Sequence, residues 1–184
     1  MAQSWRVRPR PAKRPRPPLD DEGLERLALF YAGRYATTRA KLGAYLKRKI
    51  VERGWDGSGE APVERLVQRF SELGYVDDRA FASARASSLL RRGYGGRRVA
   101  EALRGAGIEE EDAAPAREQA EEEAFEAALR FARRKRLGPY AEAPPDREGR
   151  QKAAAAMLRA GHRMDVVWKV LDSSPADLPD PTVP

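Results

Sequence analysis

The side chains in this 184-residue chain best suited to chemistry are arginines, and their grouping points to binding rather than to bond making. Arg85, Arg91, Arg92, Arg97, Arg98 and Arg104 fall in one stretch, opposed there only by Glu101. Arg133, Arg134, Lys135 and Arg136 form a second block. A planar guanidinium donates two parallel hydrogen bonds to a phosphate or a carboxylate, so such clusters suit a DNA backbone or an acidic protein groove. Tyr94, set between two arginine pairs, is placed to stack on a base or to face a protein partner. The ordinary alternative is a solvated helix face, with the 133–136 block placed favourably at a helix C-terminus. Acid is concentrated elsewhere, in Glu109, Glu110, Glu111, Asp112, Glu118, Glu121, Glu122, Glu123 and Glu126.

Catalytic constellations are missing from the sequence. His162 is the only histidine and there is no cysteine, so neither a Ser-His-Asp triad, a thiolate nucleophile nor a Cys/His metal cluster can be assembled readily. Asp77 and Asp78 are adjacent, point apart and have no third ligand nearby; a helix cap at Asp77 or Asp78 explains them better than a metal or an acid pair. Tyr75 and Phe81, which flank them, are expected to pack in the core between units. The Gly93-Tyr94-Gly95-Gly96 segment lacks both a preceding strand and a following Gly-Lys-Ser/Thr, and reads as an interhelical turn, not a phosphate loop. The expectation is a non-enzymatic protein with no catalytic residue, cofactor, metal or small-molecule substrate.

Charge is unevenly spread. The net charge is +7, and six of those charges come from Arg6, Arg8, Arg10, Lys13, Arg14 and Arg16, which lie among prolines in an acid-free stretch of 18 residues. The other 166 residues net only +1, so an anion-binding face in the folded part must arise from segregation of opposite charges. Proline fixes φ and removes a donor, so residues 1–20 are expected to form a disordered, polyproline-like basic arm with nonspecific phosphate contacts. Residues 174–184, with Pro175, Pro179, Pro181 and Pro184, are expected to fray. No apolar run approaches the roughly 20 residues that span a bilayer, and no apolar segment follows the basic N-terminus as in a secretory signal. A cytoplasmic location without membrane association is the expectation.

Between the tails the apolar pattern is helical throughout. Leu24, Leu27, Ala28 and Tyr31 make one stripe. Leu42, Leu46 and Ile50 make another, with Thr37 or Thr38 as cap. Val63, Leu66, Val67, Phe70 and Leu73 follow Pro62 and end at Gly74. Further stripes hold Phe81, Ala82, Leu89 and Leu90; then Val99 and Leu103, closed by Gly107; then Phe125, Ala128, Leu129 and Ala132; and finally Met157 and Leu158 with Val166, Val167, Val170 and Leu171. No segment sustains the period of two that marks a strand.

A repeat underlies this pattern. Gly54, Gly107 and Gly161 each follow an apolar residue by four positions, namely Ile50, Leu103 and Met157, and each precedes the turn into another helix. Three tandem units of about three helices are predicted, over 21–75, 76–118 and 119–173. The second is the weakest, with no large apolar residue between Ile108 and Phe125, and with Pro115 interrupting it.

The run Glu72-Leu-Gly-Tyr-Val-Asp-Asp-Arg-Ala-Phe-Ala82 resembles a signature of the RecX regulatory proteins, and Arg91-Arg-Gly-Tyr-Gly-Gly-Arg-Arg-Val99 with Leu103-Arg-Gly-Ala-Gly-Ile108 is similar to the stretch that follows it there. Tyr35 to Leu42, Met157 to Gly161 and Val166 to Leu171 match in order, so the resemblance spans roughly residues 24–172. Gly74, Tyr75, Asp77, Asp78, Phe81 and Gly107 are the signature positions with structural roles. The first unit departs by about a turn of extra residues before Gly54 and by an insertion, Asp56–Glu60. The resemblance implies an all-α, elongated, curved stack of three three-helix units that lies in the groove of a RecA-type recombinase filament on single- or double-stranded DNA. It further implies restraint of filament extension, ATP hydrolysis, strand exchange and SOS coprotease activity. The contact residues expected for that role are Arg91, Arg92, Tyr94, Arg97, Arg98, Arg104, Arg133, Arg134, Lys135 and Arg136. A rival reading takes the 153–171 helix pair as a helix-turn-helix of a sequence-specific DNA-binding regulator, although the neighbours of Trp168 point to packing.

Overall fold

The computed structural model describes residues 16–174. Five cations of the expected arm (Arg6, Arg8, Arg10, Lys13 and Arg14) and the proline-rich tail from residue 175 lie outside the described residues. Within them the chain runs α1 (Asp21–Arg34), α2 (Arg39–Arg53), α3 (Val63–Glu72), α4 (Asp78–Arg91), α5 (Gly96–Gly105), α6 (Glu110–Glu122), α7 (Ala124–Lys135), a single 3₁₀ turn (Gly138–Tyr140), α8 (Arg147–Arg159) and α9 (Met164–Asp172). No strand occurs among the described residues; a lone parallel bridge joins Leu19 to Trp55.

Short polar side chains set the helix starts. Asp20 accepts the Gly23 N–H at 2.7 Å, Thr38 that of Lys41 at 3.2 Å, Asp77 that of Ala80 at 2.8 Å and Asp146 that of Gly149 at 2.7 Å. Each satisfies one of the donors that a helix N-terminus leaves without an intrahelical partner. Of the alternatives open in the sequence, Thr38 rather than Thr37 caps α2, and Asp77 rather than Asp78 caps α4.

Three separate cores follow in chain order. Leu24, Leu42, Leu46 and Phe70 anchor the first, among α1–α3. Leu90, Val99 and Leu103 anchor the second, among α4–α6. Leu129, Phe131, Met157, Val167 and Val170 anchor the third, among α7–α9. The fold is an all-α array of three tandem three-helix repeats. Among the described residues no closely packed helix pair joins the first repeat to either of the others, and side-chain hydrogen bonds link it to the second.

The weak middle unit is explained by alanine. α6 carries no large apolar residue, yet Ala113, Ala116 and Ala120 are buried against Ala82 and Ala86 of α4. Small side chains let the two helices approach closely, and what is lost in bulk is regained in backbone proximity. Pro115 does not interrupt α6 as the sequence predicts. The helix runs through it, forgoing only the bond that its missing N–H would have made. α6 extends to Glu122, four residues beyond the predicted end of the unit at 118.

The inner end of the expected disordered arm is also corrected. Leu19 is 1% exposed, donates its N–H to the Gly54 carbonyl at 2.9 Å and accepts the Asp56 N–H at 2.8 Å. The Arg53 guanidinium holds the Pro17 carbonyl through two bonds of 2.9 and 2.7 Å. An apolar side chain and two ladder-type bonds outweigh the proline-rich composition there, so the chain is tied down from residue 17.

Candidate functional site

Some of the side chains expected to bind a partner, Arg92, Tyr94, Arg97 and Arg98 among them, stand beside a junction between repeats, and both junctions are built alike. The turn that ends the second helix of one repeat covers the start of the second helix of the repeat before it. At the first junction Thr38 Oγ1 donates to the Ala106 carbonyl at 2.7 Å, and Gly107 lies so close to Ala40 that a methyl group on it would collide with the alanine Cβ. At the second, the Gly95 N–H reaches the Ala160 carbonyl at 3.0 Å and the Arg97 N–H reaches the Gly161 carbonyl at 3.1 Å. A Cβ at Gly161 would sit 2.5 Å from the Arg98 nitrogen. Both glycines hold positive φ, +71° and +94°, which allows the turn; the close approach excludes any larger residue.

Polar side chains lock each junction. Asp78, 4% exposed, accepts the Arg39 N–H at 2.8 Å, and the Arg39 guanidinium reaches Asp78 at 3.4 Å and Asp112 at 2.6 Å. His162, 2% exposed, sits against Phe131 with its Nε2 3.1 Å from the Gly93 carbonyl. A carbonyl can only accept, so Nε2 carries the proton. Burial holds the imidazole below its ordinary pKa, and the hydrogen bond to Gly93 offsets part of that. His162 is thus a buried clasp, not only a turn residue. In the sequence Thr38 is marked only as a possible cap, Asp112 only as part of an acidic run and Arg39 not at all, because nothing local shows that they reach across a junction.

Around the second junction the expected basic residues gather only in part. Arg92, Tyr94 and Arg98 share a groove of about 310 Å³ with Arg85. The guanidinium carbon of Arg92 lies 5.3 Å and that of Arg134 5.9 Å from the Tyr94 ring centroid, and Arg134 also donates to the Arg92 carbonyl. Tyr94 is half-buried, packed against the second and third cores, so its position is set by both repeats. Arg97, next to Arg98 in sequence, instead lines a cleft with Arg117, His162 and Arg163 on another side of α5. Arg91, Arg104, Arg133 and Lys135 are exposed on the last turns of α4, α5 and α7 and line none of these grooves. Arg136 ends α7 in the left-handed region and pairs with Glu142. Arg98 pairs with Glu101 at 2.8 Å. For the other seven expected cations no carboxylate among the described residues lies within ion-pair distance. Arg16 is exposed.

The aromatic expectations need correction. Tyr75 is 52% exposed, resting on Phe70 at a 5.3 Å centroid distance, and is not core. Phe81 lies at the edge of the second core, with Lys41 Nζ 4.6 Å from its ring centroid. Trp168 is 37% exposed with the Arg150 guanidinium 5.9 Å away, so it too lies at the surface instead of packing. Gly74 closes α3 at φ +74°. Among the described residues no group of His, Asp and Glu could hold a metal ion, and no helix is long and apolar enough to cross a membrane.

Residues 77–116, which cover α4, α5 and half of α6, match the family model described as the second three-helix domain of RecX. The chain is 38% identical over 172 residues to a protein of Myxococcus xanthus named regulatory protein RecX, covering 89% of this chain and 91% of that one. A regulatory protein RecX of Agrobacterium fabrum is 28% identical over 148 residues, 78% of this chain and 79% of its own. Among solved structures, RecX from Lactobacillus salivarius superposes with a TM-score of 0.62 at 17% identity, over 83% of this chain and 96% of that one. A second crystal structure, of a regulatory protein RecX, gives 0.63 at 22% identity, over 83% and 72%.

Proposed function

Since the chain belongs to the RecX family of regulatory proteins, we propose that it restrains a RecA-type recombinase by docking along the recombinase–DNA filament, without catalysing a reaction of its own. The observation that carries this reading is the pairing of Arg92 and Arg134 about Tyr94. Two guanidinium groups from different repeats converge on one half-buried ring, and neither has a carboxylate partner among the described residues. A basic surface fixed by a repeat junction presents its charges at a constant spacing, which suits a partner that is itself a repeating polymer. Several modest contacts made together compete with filament growth and with entry of a second DNA strand. The action is therefore steric and electrostatic, in the compartment where the recombinase works, the cytoplasm.

The operator-binding alternative finds little support. On the exposed face of α9, Trp168 lies against the Arg150 guanidinium and Lys169 Nζ sits 4.4 Å from the Phe125 ring centroid, Asp165 and Asp172 are acidic, and the Arg163 that precedes the helix is held by Asp165 at 3.2 Å. A recognition helix needs donors free to reach base edges.

The test is to add the protein to preformed recombinase filaments on single-stranded DNA and follow ATP hydrolysis. The wild-type chain should slow hydrolysis progressively. The double variant Arg92→Glu with Arg134→Glu, whose side chains are exposed, should fold normally and lose inhibition by about ten-fold or more, as expected when close charge pairs are reversed. Equal inhibition by wild type and variant would remove this groove from the mechanism.

A further inference from the structure

A second groove, of about 590 Å³, opens at the other repeat junction, between the C-terminal end of α1, the α3–α4 turn and the outer face of α4. We propose that it binds one unstacked nucleotide of a single strand of nucleic acid, by this chain alone. Tyr35 and Tyr75, 50% and 52% exposed, stand in its walls with Phe81 between the two repeats. Each ring is half covered, Tyr35 by Tyr31 at a 5.3 Å centroid distance and Tyr75 by Phe70 at 5.3 Å, and a base laid on the open half gains stacking whatever its identity. Arg34 and Arg85 line the same groove, and neither has a carboxylate within ion-pair distance among the described residues. They supply the positive charge that a phosphodiester needs on either side of a stacked base.

An independent feature points the same way. Thr37 lines the groove, is 6% exposed, and its Oγ1 has no hydrogen-bond partner among the described residues. A buried hydroxyl without a partner is costly, and its neighbour Thr38 is fully engaged, capping α2 and bonding Ala106. The Thr37 oxygen is shielded in the unbound chain, so a rotamer change toward the groove is what would let this hydroxyl, both donor and acceptor, meet the polar edge of a base. The one carboxylate in the groove, Asp77, is occupied in capping α4, which limits its opposition to a phosphate. Arg85 also lines the groove that holds Arg92 and Tyr94, so a strand leaving this nucleotide would pass along α4 toward that second basic site.

The experiment uses the full chain and an oligothymidylate carrying one 5-iodouracil, with no recombinase present. Illumination should cross-link the base to Tyr35, Tyr75 or Phe81, located by mass spectrometry. Tyr75→Ala should weaken binding of the unmodified oligothymidylate by at least about five-fold, the low end of what one stacked aromatic contributes, and Tyr75→Phe should not. Thr37→Val, nearly isosteric, should weaken it as well while leaving thermal stability intact. Cross-linking only at Tyr94, or unchanged affinity in Tyr75→Ala, would overturn the proposal. If Tyr75→Ala instead lost inhibition of the recombinase with oligonucleotide affinity unchanged, the groove would be a protein-docking surface and the nucleotide assignment would fall. These outcomes leave the Arg92–Arg134 reading untouched.

Discussion

The carboxylate of Asp78 serves a helix other than its own: its Oδ1 accepts the backbone N–H of Arg39, the first residue of α2, at 2.8 Å across 39 positions of sequence. Its neighbour Asp77 caps α4 in the usual way. Two adjacent aspartates thus divide the work, one starting its own helix and the other tying the first repeat to the second. The ordering of the repeats, and with it the surface along α4, depends on such clasps more than on a shared core.

Asp78→Ala should destabilise the protein by about 1–3 kcal/mol, because the Arg39 N–H and guanidinium lose a buried partner. Asp78→Asn keeps one acceptor oxygen and should cost less. Urea denaturation checks the order wild type, Asn, Ala; equal midpoints for all three would mean that the clasp is idle.

Glycine substitutions should separate junctions from helices. Gly107→Ala and Gly161→Ala each place a methyl group against the preceding repeat at positive φ, and each should cost more than about 1 kcal/mol. Gly105 has nothing within 4 Å and sits in the last turn of α5, so Gly105→Ala should leave stability unchanged or raise it by about 0.5–1 kcal/mol. Thermal melting of the three variants gives the comparison directly.

His162 should make stability depend on pH. Its folded pKa lies below the ordinary 6.5 because of burial, so between those two values the unfolded chain binds more protons than the folded one. Stability is therefore whole above about pH 6.5 and falls as pH drops through that window, levelling out below the folded pKa. In His162→Gln the drop between pH 7.5 and 5.5 should be smaller than in the wild type. A wild type no less stable at pH 5.5 than its variant predicts would mean that the imidazole is not held neutral at the junction.

The basic arm should contribute charge and little else. Removing residues 1–15 takes away Arg6, Arg8, Arg10, Lys13 and Arg14 and spares the Leu19 anchor. Duplex binding should then show a log–log salt slope flatter by up to about 4–5, with inhibition of recombinase ATP hydrolysis largely kept. Removing five residues more should also destabilise the first repeat, since Leu19 is buried and its burial is worth about 2–4 kcal/mol. Loss of inhibition on the shorter deletion would shift the mechanism from the grooves to the arm.

Much of this protein was legible in one dimension. Period-3.6 stripes, the glycine stops at 54, 107 and 161, and the capping residues are local properties, and they mark out three helical units along the chain. The arginine clusters were legible for the same reason, since charge segregation needs no knowledge of the fold. What a linear reading could not decide is which side chains meet across repeats. Arg97 and Arg98 are neighbours in the chain, yet about 100° of helix rotation sends them to different grooves. Tyr75, Thr37 and Trp168 carry no local mark that separates a buried position from an open one; the packing of neighbouring elements decided each. Alanine packing in α6 escaped because small side chains contribute closeness instead of bulk. Local periodicity dictates that helices form, whereas their mutual orientation is a property of surfaces brought together only when repeat stacks on repeat.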